Sequence, residues 1–144
     1  DVSLQKNLQL REDSREVVEV IRDTLMKLGL DKKLANSLSE DMDRYAKLKN
    51  VEKGGSIQEA TLTDEMVVER DELREKIENE MTKFETSLID QEKVAAVRSD
   101  ELGNAQRKHV AKRRDNFERV AILTDELDAI YAQIAVNIKQ SSPK

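Results

Sequence analysis

Apolar residues recur along this chain at spacings of three and four positions, as they do on one face of an α-helix. A first series contains Val17, Val18, Ile21, Leu25 and Leu28, and a second contains Leu34, Leu38, Met42, Tyr45 and Leu48. Neither series alternates between apolar and polar positions, as half-buried strands do. The pattern predicts two helices, at about 4–29 and about 31–53, that form a helical hairpin over residues 1–53.

Turn residues separate these two helices from each other and from the rest of the chain. We expect Gly29 to adopt a left-handed conformation after the first helix and Asp31 to cap the start of the second. Gly54 and Gly55 then stop the second helix and open a linker over residues 54–62.

Two helix starts compete after these glycines. Ser56 with Glu59 fits a capping box, whereas Thr63 is followed directly by two acidic residues that favour the first turn of a helix. We favour Thr63 as the main start.

Residues 63–140 carry two longer apolar series, and a short tail follows at 141–144. The members of both series keep the helical spacing. We predict that they form a helix-packing interface, which consists of Leu73, Ile77, Met81, Phe84, Leu88, Val120, Leu123, Leu127, Ile130 and Ile134.

The two series match each other when this segment is folded about the Gly103–Asn104 step. The expected opposite pairs are Leu73 with Ile134, Ile77 with Ile130, Phe84 with Leu123 and Val97 with Val110. Gly is common just after a helix and Asn is common at the start of the next one. We therefore place a possible turn at 103–104.

The same pairing arises in two ways, and both stay open. A turn within one chain would give a slim four-helix bundle made of two hairpins. A continuous helix would instead pair with a second chain in an antiparallel dimer, because a Gly inside a helix costs only about 1 kcal/mol. The predicted fold class is all-α in either case, an antiparallel coiled coil or elongated helical bundle.

The charge pattern supports an antiparallel register. Residues 64–101 hold thirteen acidic and six basic side chains, whereas residues 105–119 hold six basic and two acidic ones. The expected neighbours are Arg114 with Glu92 or Asp90, and Arg107 and Lys108 with Asp100 and Glu101. Exposed ion pairs contribute only ~0.2–1 kcal/mol each, so they select the register more than they stabilise the fold.

The sequence lacks the residue combinations that catalysis requires. It contains no cysteine and only one histidine, His109, so a thiolate site or a two-histidine metal site cannot form. Gly54 and Gly55 precede a serine without the lysine of a phosphate-binding loop. We therefore expect no enzyme activity, no cofactor, no metal and no small-molecule substrate.

The basic stretch RKHVAKRR, residues 107–114, is the best candidate for a ligand surface. In this alternative, the phosphates of nucleic acid or of an anionic membrane would be bound by Arg107, Lys108, Lys112, Arg113 and Arg114. The net charge of −5 and the absence of interleaved aromatic residues disfavour it. The acidic segment 64–101 also offers these cations an internal partner.

The whole pattern is typical of a non-enzymatic coiled-coil segment of a larger protein. We expect it to mediate self-association, as a homodimer or higher assembly, or to dock other helical proteins along its apolar series, as in cytoskeletal, trafficking or complex-assembly proteins. No apolar run approaches the ~20 residues that span a bilayer. We expect a cytoplasmic location, with a nuclear one as the alternative. Because the chain begins at Asp1 rather than Met, we expect a segment of a longer protein or a processed form.

Overall fold

The computed structural model describes residues 2–52 and 62–141, and its regular elements are four α-helices. They are α1, Val2–Lys27; α2, Lys32–Glu52; α3, Asp64–Ala96; and α4, Glu101–Ser141. The described residues contain no strand. The all-α bundle that the three-and-four spacing predicts is therefore confirmed.

The longest helix, α4, contacts each of the other three. It packs most extensively against α1. The two run antiparallel, because the side-chain amide of Asn7 donates to the carbonyl of Ile134 and the guanidinium of Arg113 donates to the carbonyl of Leu28. Within the described ranges the backbones of α1 and α3 are not adjacent, whereas the backbone of α2 lies next to all of the others. α1 and α3 thus lie on opposite sides of the pair formed by α2 and α4.

One apolar cluster draws on all four helices. Its buried members are Ile21, Leu25, Leu28, Ala35, Leu38, Met42, Ala46, Val120, Leu123, Leu127, Tyr131 and Ile134. From α3, the half-buried Ile77, Met81 and Phe84 pack against this cluster. Full burial of a large aliphatic side chain contributes about 1.5–3 kcal/mol. The pair of helices α1 and α2 and the pair α3 and α4 therefore share a core.

A hydrogen-bonded polar pair sets the position of α1 along α4. Asn7 and Asn137 are both buried, and the Nδ2 of Asn137 donates to the Oδ1 of Asn7 over 2.9 Å. A buried amide without such a partner would cost about 1–3 kcal/mol. Sliding α1 along α4 by one turn would break this pair, so it selects one register.

The end of α1 and the start of α2 have the capping structures that the sequence predicts. Gly29 has a φ of 109°, and the amide of Leu30 donates to the carbonyl of Leu25 in the pattern typical of a glycine-terminated helix. Asp31 accepts a 2.8 Å hydrogen bond from the amide of Leu34.

Thr63 caps α3, because its hydroxyl accepts a hydrogen bond from the amide of Met66 over 3.2 Å. The preferred helix start at Thr63 is therefore confirmed. The competing start at Ser56 and Glu59 lies outside the described residues.

The turn between α3 and α4 lies at residues 97–100, so the turn indicated at Gly103–Asn104 is misplaced by about one helical turn. Asp100 begins α4, because its Oδ1 accepts a 2.9 Å hydrogen bond from the amide of Gly103. That bond, together with the Arg98 guanidinium, lowers the pKa of the Asp100 carboxyl. Gly103 and Asn104 therefore lie in the first turn of α4.

Gly103 has a different role from the one that the sequence indicates. It is buried inside the helix, and a Cβ at this position would overlap the carbonyl oxygen of Arg98 and lie 2.9 Å from its carbonyl carbon. The connecting segment thus runs against the first turn of α4, where only a glycine leaves room for it. Val97 is 87% exposed and does not lie in an apolar pair with Val110.

Away from the turn, one predicted ion pair and one shared apolar cluster join α3 to α4. Arg114 forms an ion pair with Glu92, one of its two expected partners. Phe84 packs against the cluster that contains Leu123. The pairing therefore occurs within one chain between two separate helices, and the continuous helix of the dimer alternative is not present.

We expect Leu127→Ala to lower the free energy of unfolding by about 2–5 kcal/mol, because it leaves a cavity in the shared core. Urea denaturation followed by circular dichroism measures this loss. Ile122→Ala in the same helix is the matched control, since Ile122 is 58% exposed and such a surface change usually stays within about 0.5 kcal/mol. Equal losses for the two variants would contradict the packing described.

We expect Gly103→Ala to destabilise the protein, although the same change in an open helix position stabilises by about 1 kcal/mol. The added Cβ would force the turn segment away from α4. Ala111→Gly at an exposed position of α4 is the control for intrinsic helix propensity, and thermal denaturation compares the two. A Gly103→Ala variant with a raised melting temperature would show that the turn does not need this glycine.

Candidate helix-docking surface

The α3–α4 hairpin extends beyond the corner between α1 and α2. α1 ends beside Arg113, whose Nη2 donates to the carbonyl of Leu28 over 2.6 Å. From Arg113 back to Glu101, α4 extends for about 18 Å at 1.5 Å per residue. We call this part, the residues from Leu88 to Arg113, the hairpin tip.

Arg113 joins three helices at the base of the hairpin tip. Its Nη1 donates to the side-chain oxygen of Gln91 on α3 over 2.7 Å, while its Nη2 binds the last turn of α1. A carbonyl near the end of a helix carries partial negative charge, so a guanidinium is well suited to it. Arg113 therefore acts as a structural clamp in this arrangement.

Arg107 closes the distal end of the hairpin tip. Its guanidinium donates to the carbonyl oxygens of Ala95, at 2.8 Å, and Arg98, and to the side chain of Asn104. These carbonyls lie at the end of α3 and in the turn, where no further helical turn can bind them. The sequence placed Arg107 opposite Asp100 and Glu101; its charge helps to lower the pKa of the Asp100 carboxyl, while its hydrogen bonds go to two backbone carbonyls and to Asn104.

Three of the five basic residues predicted to bind phosphates thus bind the protein itself. Arg107 and Arg113 bind carbonyl groups, and Arg114 binds Glu92, which raises the pKa of the Arg114 guanidinium. Lys108 and Lys112 point into solvent. The positive surface of the basic stretch is therefore smaller than its sequence suggests.

The ten apolar residues predicted as a helix-packing interface lie inside the bundle. The structure buries Leu88, Val120, Leu123, Leu127 and Ile134 and half-buries Leu73, Ile77, Met81, Phe84 and Ile130. All of them except Leu73 and Leu88 belong to the apolar cluster of the bundle or pack against it. Docking of partners along these two series stays a prediction.

An apolar groove remains uncovered on the hairpin tip. It has a volume of about 350 Å³ and is lined by Asp90, Gln91, Val94, Ala95, Gln106, His109, Val110 and Arg113. Ala95 and Val110 are buried at its floor, while Val94 is 63% exposed on its wall. The groove lies between α3 and α4 directly beyond the end of α1, so no third helix of the described chain fills it.

Further features extend the groove as a binding surface. Leu102 is 51% exposed and, by helical spacing, shares a face with Gln106, His109 and Arg113. The Oε1 atom of Gln106 is buried and has no hydrogen-bond partner within the described residues. Buried polar atoms in folded proteins are nearly always paired. This oxygen is therefore suited to accept a hydrogen bond from a bound molecule.

The charged groups in the groove lining balance each other. Asp90 supplies one carboxylate and Arg113 one guanidinium, which already binds Gln91 and Leu28. Lys108 and Lys112 lie on other faces of α4, because successive helical residues are about 100° apart, and neither lines the groove. The groove is therefore suited to apolar side chains of either flanking charge.

A second groove, of about 470 Å³, lies between α1 and α2 over Tyr131. Its lining is polar and charged, and Lys47 and Asp43 form an ion pair within it. The hydroxyl of Tyr131 donates a hydrogen bond to Asp43, and burial raises the pKa of the Tyr131 hydroxyl. These groups are bound to one another, so this groove has less to offer a ligand than the groove at the hairpin tip.

The described residues contain no cluster of His, Asp or Glu that could hold a metal ion. Nor does any helix in the described ranges have the length and apolarity to cross a bilayer. The chain matches no protein-family model, no curated protein and no solved structure. What it binds must be inferred from its own geometry.

We expect Arg113→Lys to lower the free energy of unfolding by about 1–3 kcal/mol, because one ammonium group cannot hold both acceptors in the geometry of a guanidinium. Urea denaturation measures the loss. Arg119→Lys, at an exposed site on the same helix, is the control and should behave like the unmodified protein. If both variants unfold at the same urea concentration, Arg113 is not a clamp.

Proposed function

We propose that this chain is a non-enzymatic helical module that binds the apolar face of an amphipathic helix in the groove of the hairpin tip. The observation that carries the proposal is the groove itself, with Val94 exposed above a buried floor of Ala95 and Val110. Such a module would act in self-association or scaffolding, as in cytoskeletal, trafficking or complex-assembly proteins, and in the cytoplasm or nucleus.

The size and shape of the groove support a helix as its occupant. A helix docks by placing side chains from successive turns into a groove between two other helices. The tip offers about 18 Å of α4, or roughly three helical turns. Elsewhere in this bundle each helix packs against at least two neighbours, and a third helix at the tip would extend that packing.

Apolar contacts would supply most of the affinity. A docked helix would bury apolar side chains against Val94, Ala95 and Val110. The lining holds one carboxylate, Asp90, and one guanidinium, Arg113, so its charges favour neither sign of partner.

The alternative, phosphate binding through residues 107–114, has less support. Arg107, Arg113 and Arg114 bind groups of the same chain, and a phosphate would have to displace them. Two lysines remain on the exposed surface of this stretch, which is a small number compared with the six to ten contacts of a strong nucleic-acid site.

A designed peptide of about three heptads tests the proposal, with Leu at the core positions and Glu at the flanking ones. Fluorescence anisotropy should show that the peptide binds to the full chain, and that Val94→Glu weakens this binding at least about tenfold, or 1.4 kcal/mol. Val68→Glu is the matched control, because Val68 is 57% exposed on α3 outside the groove. It should bind the peptide as the unmodified chain does.

Two results would contradict the proposal: no binding of the peptide to the full chain, or no effect of Val94→Glu on that binding. Binding of duplex DNA or anionic vesicles without binding of the peptide would select the phosphate alternative instead.

A further inference from the structure

The two halves of α1 are attached to the bundle by different kinds of contact. In the second half, residues 15–27, and in the residue that follows it, the side chains of Ile21, Leu25 and Leu28 are fully buried in the shared core. In the first half, residues 2–14, the buried side chains among those described are Asn7 and Ser14. The first half of α1 thus buries polar side chains where the second half buries aliphatic ones.

The described aliphatic side chains of the first half contribute little to the core. Val2 is 65% exposed and Leu8 is 67% exposed, while Leu10 is half-buried and packs against the apolar cluster. Burial of apolar surface is the main favourable contribution to folding. The first half of α1 is therefore held less firmly to the bundle than the second half.

Water can replace the polar contacts that hold the first half. The side-chain amide of Asn7 donates to the carbonyl of Ile134 over 3.5 Å, which is longer than the usual ~2.7–3.2 Å, and Asn137 donates to the Oδ1 of Asn7 over 2.9 Å. If the first half separated from α4, these amides and this carbonyl would be hydrated, which offsets most of the lost hydrogen bonding. These contacts therefore fix the register of α1 but resist its separation only weakly.

Ser14 marks the boundary between the two halves. Its hydroxyl donates to the carbonyl of Arg11 over 2.7 Å within the helix. Such a bond competes with the hydrogen bonds of the helix and often bends it. Thr24 bonds the carbonyl of Val20 in the same way, but there the buried aliphatic side chains of the second half keep the helix in place. A hinge is therefore expected at Ser14 and not at Thr24.

We propose that residues 2–13 form a strap that opens from the last turns of α4 as one unit while the rest of the bundle stays folded. Folded proteins open locally in cooperative units, and segments with few buried apolar contacts open most readily. When closed, the strap lies against Ile134 and Asn137. Its opening uncovers this part of α4, so the strap controls access to it. The strap lies at the opposite end of α4 from the groove and does not depend on the proposed function.

Hydrogen exchange of the full chain, followed amide by amide by NMR, tests the strap. The amides of residues 6–13 should share one protection factor, at least about tenfold below that of residues 21–28. Asn7→Ala should speed exchange in residues 6–13 by about threefold or more, because it removes the contacts with α4, and leave residues 21–28 unchanged. Leu127→Ala, which loosens the core, should do the reverse.

Leu8→Ala is the matched control, because Leu8 is exposed in the same segment. Its exchange should match that of the unmodified chain. Equal protection of residues 6–13 and 21–28, or equal acceleration of both by Asn7→Ala, would show that α1 opens only with the whole bundle. Protection that rises steadily from residue 6 to residue 13 would show simple fraying of a helix end. Either result, or an Asn7→Ala variant that exchanges like the unmodified chain, would overturn the strap.

Discussion

Burial of the apolar face of α4, from Val120 to Ile134, is the interaction on which the other contacts depend. The chain has few aromatic residues, 3% of the total, so it builds its core from aliphatic side chains along one long helix. α1 and α2 contribute buried side chains to this face, and α3 covers it with half-buried ones. The ion pairs between the helices are largely exposed and contribute little each. They orient the helices, while the aliphatic side chains hold them together.

The unequal lengths of the two hairpins create the candidate site. α1 and α2 have 26 and 21 residues, whereas α3 and α4 have 33 and 41. The shorter hairpin covers only part of the longer one, and the hairpin tip is left with two helices where the rest of the bundle has more. Arg113 and Arg107 stabilise this tip at its two ends. Three of the five cations in the basic stretch therefore stabilise the fold.

Features set by neighbouring residues could be predicted from the sequence, and features set by distant contacts could not. Gly29, Asp31 and Thr63 act within one helical turn, so their roles follow from the local pattern. The ion pair between Arg114 and Glu92 could also be predicted, because the charge pattern places these two residues opposite each other. The position of the turn could not be predicted. A glycine is needed at position 103 because the carbonyl of Arg98 lies against it, and not because position 103 adopts a positive φ. The Asp100–Glu101 pair is a helix-start signal that would have placed it correctly. The sequence also could not show that the apolar residues pack within one chain, because the same spacing would be found in helices that pack between two chains.

The most direct test of the central claim is the distance between α3 and α4 within a single chain. Because the sequence has no cysteine, Glu85→Cys and Ala121→Cys can carry two spin labels without background. Both positions are exposed, and each lies two helical turns from the Glu92–Arg114 ion pair. We expect a short distance, set by helix axes about 8–10 Å apart, that persists when labelled chains are diluted with unlabelled ones. A separation of about 54 Å within the chain, as one continuous helix requires, with any short distance lost on dilution, would contradict the fold described here.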